Sequence, residues 1–208
     1  MKVLYQQLED DLRKINLDFK RYLLPEINWD NRMFGIVGAR GVGKTTLILQ
    51  HIKENHTLDD TLYVSMDNVY FANHPLHEVA NEFHKNGGKY LFIDEIHKYP
   101  LWSRTLKNLY DNYPDMKIVF SGSSVLDILT GWADLSRRAL VTNLHGLSFR
   151  EYLQLFHGIT APVLSMEDHV KNLINIYEKA SLHGYKFNIL HTKREKNSKK
   201  STIIGIFL

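Results

Sequence analysis

GARGVGKTT, residues 38–46, places three glycines in nine positions and follows them with a lysine and two threonines. The spacing is Gly38, then Ala39, Arg40, Gly41 and Val42, then Gly43, Lys44 and Thr45. In a loop of this pattern successive backbone N–H groups wrap an anionic phosphate. Glycine is needed there because side chains would block the approach and because the turn asks for unusual dihedrals. The pattern assigns residues 38–46, through Thr46, to nucleotide phosphate. Lys44 reaches the β- and γ-phosphates as a point charge, Thr45 places its hydroxyl on Mg²⁺, and a helix starting near Gly43 aims its positive end at the same oxygens. The flanks suit this reading better than a chance Gly-rich turn. MFGIV (33–37) reads as a buried strand and TLILQHIKE (46–54) as a helix.

Hydrolysis would need a metal and a positioned water. The apolar run of KYLFIDE (89–95) buries a strand and leaves Asp94 and Glu95 at its end, beside the loop if the sheet is parallel. There Asp94 would hold Mg²⁺ through water and Glu95 would orient and deprotonate the attacking water. In MKIVFSGSS (116–124), Ser121 and Ser123 either touch the γ-phosphate or the water, or cap the following helix VLDILTGW. Arg137 and Arg138 either stabilise charge on the phosphoryl group or belong to a solvated face, Arg138 being the candidate taken as catalytic. Asp67 either lines the site or caps a turn, and Arg40 faces outward toward a partner. His74, His77 and His84 read as helix-surface residues rather than metal ligands, and Trp102, Tyr110 and Tyr113 as core.

Around these motifs strands alternate with helices. The strands are MFGIV, TLYVSMDN (61–68), KYLFIDE, MKIVFSGSS and ALVTNLHGL (139–147), and HPLHEVANEFHKNGG (74–88) and LWSRTLKNLYDNY read as helices between them. The expectation is an α/β P-loop NTPase three-layer sandwich with a parallel sheet, ligands meeting the carboxyl ends of its strands, followed by the start of a helical lid. The predicted organisation is a helix over residues 1–24 that packs on the core, an ATPase core at 25–147, a lid segment at 148–185 and a basic tail at 186–208.

The 208 residues are 44% hydrophobic and contain no cysteine, which excludes disulfides and thiolate metal sites. No run approaches 18 apolar residues and the start, MKVLYQQLEDDLRK, is charged where a signal peptide is apolar, so the expected location is the cytoplasm, with no membrane partner. The net charge is +3, yet residues 186–208 hold six basic residues and one acid, a net of +5 that leaves −2 for the rest. Nucleic-acid contact would therefore be confined to a salt-sensitive tail.

Taken together, GARGVGKTT, LFIDEIHKYPLW, IVFSGSS and GLSFREYL resemble the AAA+ superfamily ATPases of bacteria and archaea that carry a carboxyl-terminal nuclease-like domain. The resemblance covers residues 1 to about 185. It implies ATP, rather than a guanine nucleotide, and Mg²⁺ as cofactors. It matches Lys44 and Thr45 to the nucleotide lysine and magnesium threonine, Asp94 to the metal aspartate and Glu95 to the water-activating glutamate. Many such ATPases complete their sites with a lid or a neighbouring subunit, which makes a homo-oligomer one expectation and leaves the macromolecular partner unnamed. Arg137 stands where the family usually has a glycine. The family continues into a winged-helix region and the nuclease-like domain, whereas past Tyr185 this sequence no longer resembles it; a frameshift truncation is the expectation, and resequencing that finds no family-like continuation in another frame would overturn it.

Overall fold

A computed structural model describes residues 1–123, 135–160, 165, 167, 168, 170–172 and 174. Met1–Thr160 forms one compact unit and Ala161–Leu208 a second. In the second unit the described residues 167, 168, 170–172 and 174 are helical, and Ser165 Oγ accepts from the Asp168 N–H at 3.1 Å. The remainder of the expected lid, the basic tail and the helix read in VLDILTGW lie outside the described residues.

The first unit is built on five parallel strands: β1 (Met33–Val37), β2 (Thr61–Ser65), β3 (Tyr90–Asp94), β4 (Lys117–Gly122) and β5 (Leu140–Asn143). Their order is β2-β3-β4-β1-β5, so β1 runs through the interior with Phe34 paired to Val119 on one side and Leu140 on the other. The crossover helices are α2 (Lys44–Asn55), α3 (Leu76–Lys85) and α4 (Trp102–Asn112).

Strand side chains alternate between faces, and the two faces fill different cores. Met33, Leu62, Val64, Leu91, Ile93 and Phe120 pack against Val79 and Phe83 of α3 and Leu106 and Leu109 of α4. Phe34, Ile36, Phe92 and Val119 pack against Leu47, Ile48 and Ile52 of α2. Each such fully buried Leu, Ile or Phe contributes about 1.5–3 kcal/mol. The result is the expected α/β three-layer sandwich of a P-loop NTPase.

The opening helix is shorter than its periodicity suggests. Helix α1 covers Lys2–Lys14 and ends at an extended Ile15. Asn16 and Asp18 form a local turn in which the Asp18 N–H donates to Asn16 Oδ1 at 2.5 Å. Side chains of α2 then take the carbonyls that a continuing helix would use: Lys53 Nζ donates to Ile15 O at 2.7 Å, and Gln50 Nε2 to Asn16 O and Phe19 O at 2.8 and 2.7 Å. Polar turn formers and tertiary donors override the apolar spacing. Leu4 enters the first core and Leu8 the second, so α1 wraps the β2 edge of the sheet. Strand β5 is also shorter than ALVTNLHGL, and Phe149–His157 forms α5, closed by a Ser148–Glu151 capping box at its start and a left-handed Gly158 at its end.

Under the second core His51 lies stacked on Trp29, with centroids 3.6 Å apart, and its Nε2 is 3.1 Å from His56 Nε2. Burial, and then the neighbouring His56, push its pKa down to about 4 from an ordinary 6.5. A lowered histidine pKa means that the native state binds fewer protons than the unfolded state. The stability held at pH 7 is therefore lost as pH falls from 6.5 toward 4, by about 2 kcal/mol at pH 5. Urea unfolding at pH 7 and pH 5 checks this: His51→Phe is expected to remove about that much of the difference, and an unchanged difference contradicts the assignment.

Candidate functional site

All five strands point their carboxyl ends to one edge, and the chemistry-bearing residues gather there. The loop after β1 needs glycine at two positions in particular. A Cβ on Gly38 would lie 2.3 Å from Leu144 O, and Gly43 sits at φ 96° as the residue capping α2. No side chain caps α2, so its first N–H groups face outward into the loop. Lys44 is 4% exposed and donates to Gly38 O at 2.9 Å and Ala39 O at 3.0 Å. Burial draws its pKa below the ordinary value, against the opposing pull of Glu95 and Asp94. Arg40, Gly41, Thr45 and Thr46 are exposed.

Asp94, 3% exposed, is the centre of the arrangement. Its Oδ2 accepts from Thr45 Oγ1 at 2.5 Å and from the Tyr63 hydroxyl at 2.9 Å. Its Oδ1 accepts from Ser121 Oγ and, at 3.1 Å, from the Glu95 N–H. The sheet makes these bonds: Tyr63 pairs with Phe92, two positions before Asp94 and on the same face, and β4 brings Ser121 just past the Ile93–Phe120 pair. Burial, followed by the Asp94 charge, drives the Tyr63 pKa far above its ordinary value, so the phenol remains a donor.

Glu95 takes the left-handed conformation at φ 51°, a cost of about 1–3 kcal/mol for a residue with a side chain. Its carboxylate lies 3.5 Å from His97 Nε2, and the same nitrogen is 3.0 Å from Ser123 Oγ. A serine at the tip of β4, a histidine and the candidate base thus form one chain.

Lys44, Thr45, Asp94 and Glu95 come together at this edge. Ser121 is fully buried behind Asp94 and spends its hydroxyl there, so its place is under the carboxylate rather than against a phosphate. Arg138 precedes β5 and makes a two-point contact with Asp111 of α4, at 2.9 and 3.0 Å. That is the amino-terminal edge of the parallel sheet, opposite the loop, because the crossover helix α4 has returned there to start β4. Asp67 pairs with Lys98. His74 stacks on Tyr70 and His84 bonds Asp115 at 2.9 Å, and among the described residues no group of three or more His, Asp or Glu is placed to hold a metal. Trp102 is buried in the first core, which Tyr110 and Tyr113 pack against.

Three contributors were not legible as site residues. Tyr63 sits in an apolar strand. Arg21 and Glu151 form a buried ion pair at 2.8 Å and 130 positions apart in sequence, with the guanidinium against the phosphate loop. The capping-box spacing of Ser148 and Glu151 was the one local signal.

A family model for the AAA domain matches residues 30–153. The chain belongs to the AAA domain family. Its AAA domain is of the nucleotide-binding, ATPase type, and the match does not include the nuclease-like domain of the sequence resemblance. Two uncharacterized proteins of Methanocaldococcus jannaschii are similar to it. MJ1637 is 32% identical over 154 residues, 69% of this chain and 32% of its own length, and MJ1544 is 30% identical over 178 residues, 82% and 36% respectively. The chain thus spans about a third of the length of the curated relatives it matches. Among solved structures, C. elegans PCH-2 is similar over 80% of this chain and 49% of that one, with a TM-score of 0.40 and 14% identity. No described helix is long and apolar enough to cross a membrane.

The oxygen-rich set of Thr45 and Asp94, with the glycine cradle and Lys44 beside it, suits a hard cation bound to phosphate. Removing one donor to the buried carboxylate tests how much it depends on its partners. Tyr63→Phe is expected to lower unfolding stability by about 1.5–3 kcal/mol, the range for a hydrogen bond to a charged group; a loss within about 0.5 kcal/mol contradicts the arrangement.

Proposed function

We propose that this AAA domain binds ATP with Mg²⁺ and hydrolyses it, the turnover driving a conformational change in the longer assembly to which such domains contribute. The observation that carries the reading is the 2.5 Å contact between Thr45 and Asp94, which joins the end of the phosphate loop to the end of β3. Thr45 and Asp94 would hold the metal, Asp94 through water. When bound, the metal neutralises charge on the transferring phosphoryl group.

Lys44 would exchange the carbonyls of Gly38 and Ala39 for phosphate oxygens, and the amides of residues 39–46 would complete the cradle. Glu95, aimed by His97 and by the bond from its own N–H to Asp94, would take the proton of the attacking water. Adenine as the base rests on the sequence resemblance. The reading carries with it a cytoplasmic location, a macromolecular partner and self-association.

The placement of Arg138 favours a second reading. With that arginine bound to Asp111 at the opposite edge, the chain would act as a nucleotide-gated binding module whose turnover is negligible.

Mg·ATP binding and steady-state turnover of the purified chain test both. Lys44→Ala is expected to abolish tight binding. Glu95→Gln is expected to keep binding and lower turnover about 10²–10⁴-fold. Binding without turnover in the unmodified chain would replace the first reading by the second, and no binding at all would end both.

A further inference from the structure

Of the ion pairs among the described residues, Arg21–Glu151 is the most withdrawn from solvent, with side chains 6% and 5% exposed. Its geometry is tied to the phosphate loop. Arg21 Nη1 donates to Val42 O, and Nη2 donates to His145 O and Gly146 O at 2.7 and 3.1 Å, while Nε donates to Glu151 Oε1 at 2.8 Å. A Cβ on Gly43 would lie 3.9 Å from Nη1, so the guanidinium lies against the start of α2.

A peptide group is planar, with its C=O and N–H pointing in opposite directions. Fixing the Val42 carbonyl on Arg21 therefore turns the Gly43 N–H the other way, away from the guanidinium and into the loop. The orientation of one phosphate-binding donor is thus set by a side chain 21 positions before Val42 in the sequence.

The other end of the contact reaches α5. Glu151 Oε1 also accepts from the Tyr22 N–H at 3.0 Å, and its Oε2 accepts from the Ser148 N–H and Oγ at 2.8 and 3.0 Å. The same carboxylate closes the first turn of α5 and holds Arg21. Burial opposes its ionisation, but the Arg21 guanidinium and the Ser148 and Tyr22 N–H groups outweigh burial and keep its pKa below the ordinary value.

We propose that Arg21, held by Glu151, is a positioning residue that sets the Val42–Gly43 peptide for phosphate and transmits phosphate occupancy to the first turn of α5. The inference rests on the nucleotide reading of the loop. By linkage the coupling runs both ways: with the first turn of α5 open, phosphate binds more weakly by the same factor by which bound phosphate disfavours that opening.

Amide hydrogen exchange of the full chain, with and without saturating Mg·ATP, tests it alongside Mg·ATP affinity. In the unmodified protein nucleotide is expected to slow exchange in residues 148–153 about tenfold, within the usual range of coupling between sites. Arg21→Lys keeps the charge but loses the planar fork. It is expected to weaken Mg·ATP binding about tenfold and to abolish the α5 response at saturation, with protection in α3 unchanged. Glu151→Gln retains a capping-box residue and removes the charge that holds Arg21; it is expected to lower both effects in the same direction, and it decides the matter should Arg21→Lys fail to fold.

A full α5 response in the folded variants at saturating nucleotide, or unchanged affinity, overturns the inference, as does loss of protection spread evenly across α3 and α5. Binding by the unmodified chain without an α5 response also overturns it while leaving the nucleotide reading intact, whereas absence of binding defeats that reading first.

Discussion

A carboxylate taken out of water costs several kcal/mol unless donors replace its hydration, and Asp94 is buried at the end of an interior strand of the sheet. Four donors satisfy it, and each comes from a different place: Thr45 from α2, Tyr63 from β2, Ser121 from β4 and the N–H of Glu95 from the next residue. The carboxylate is satisfied only when β2, β3 and β4 are in register and α2 has its first turn in place. A one-residue slip of β4 would turn Ser121 to the opposite face and leave Oδ1 short of a partner. The anion that the site requires is therefore also a constraint on how the sheet assembles.

The two edges of the sheet divide the remaining labour. At the carboxyl edge loops converge with Gly38 under Leu144 O, Lys44 among loop carbonyls and Arg21 against Val42. At the amino edge ion pairs tie the turns that lead into strands to the neighbouring elements: Arg138, just before β5, to Asp111 of α4, and Asp30, just before β1, to Lys117 of β4. Parallel strands cause this separation, because every crossover helix returns the chain to the amino edge before the next strand begins. An arginine only 15 residues after Ser123 can consequently lie on the far side of the domain from it.

Local patterns made most of the fold legible. The apolar runs of β1 and β3 and the glycine spacing between 38 and 43 are consequences of burial and backbone geometry acting within a few residues. Residues 16–18 were less legible, since apolar spacing continues through Phe19 and Leu23 while Asn16, Asp18 and the side chains of α2 stop the helix. The support of the site was least legible. Tyr63 looks like any aromatic strand residue until the register sets it beside Asp94, and Arg21 meets Glu151 across 130 positions. Such partnerships belong to tertiary structure and leave no periodic trace. Arg138 shows the converse, a residue type suited to phosphate chemistry that topology sends to another edge.

The nucleotide reading requires Thr45 and Asp94, bonded to each other here, to be the two sides of a metal–phosphate site. A crystal structure of the chain with Mg²⁺ and a non-hydrolysable ATP analogue tests it most directly. The expected result is that the Thr45–Asp94 hydrogen bond opens around the cation, that Lys44 leaves Gly38 O and Ala39 O for phosphate oxygens, and that Tyr63 and Ser121 keep their bonds to Asp94. Nucleotide bound elsewhere, or a loop left with Lys44 on its own carbonyls while the analogue is present, would contradict it.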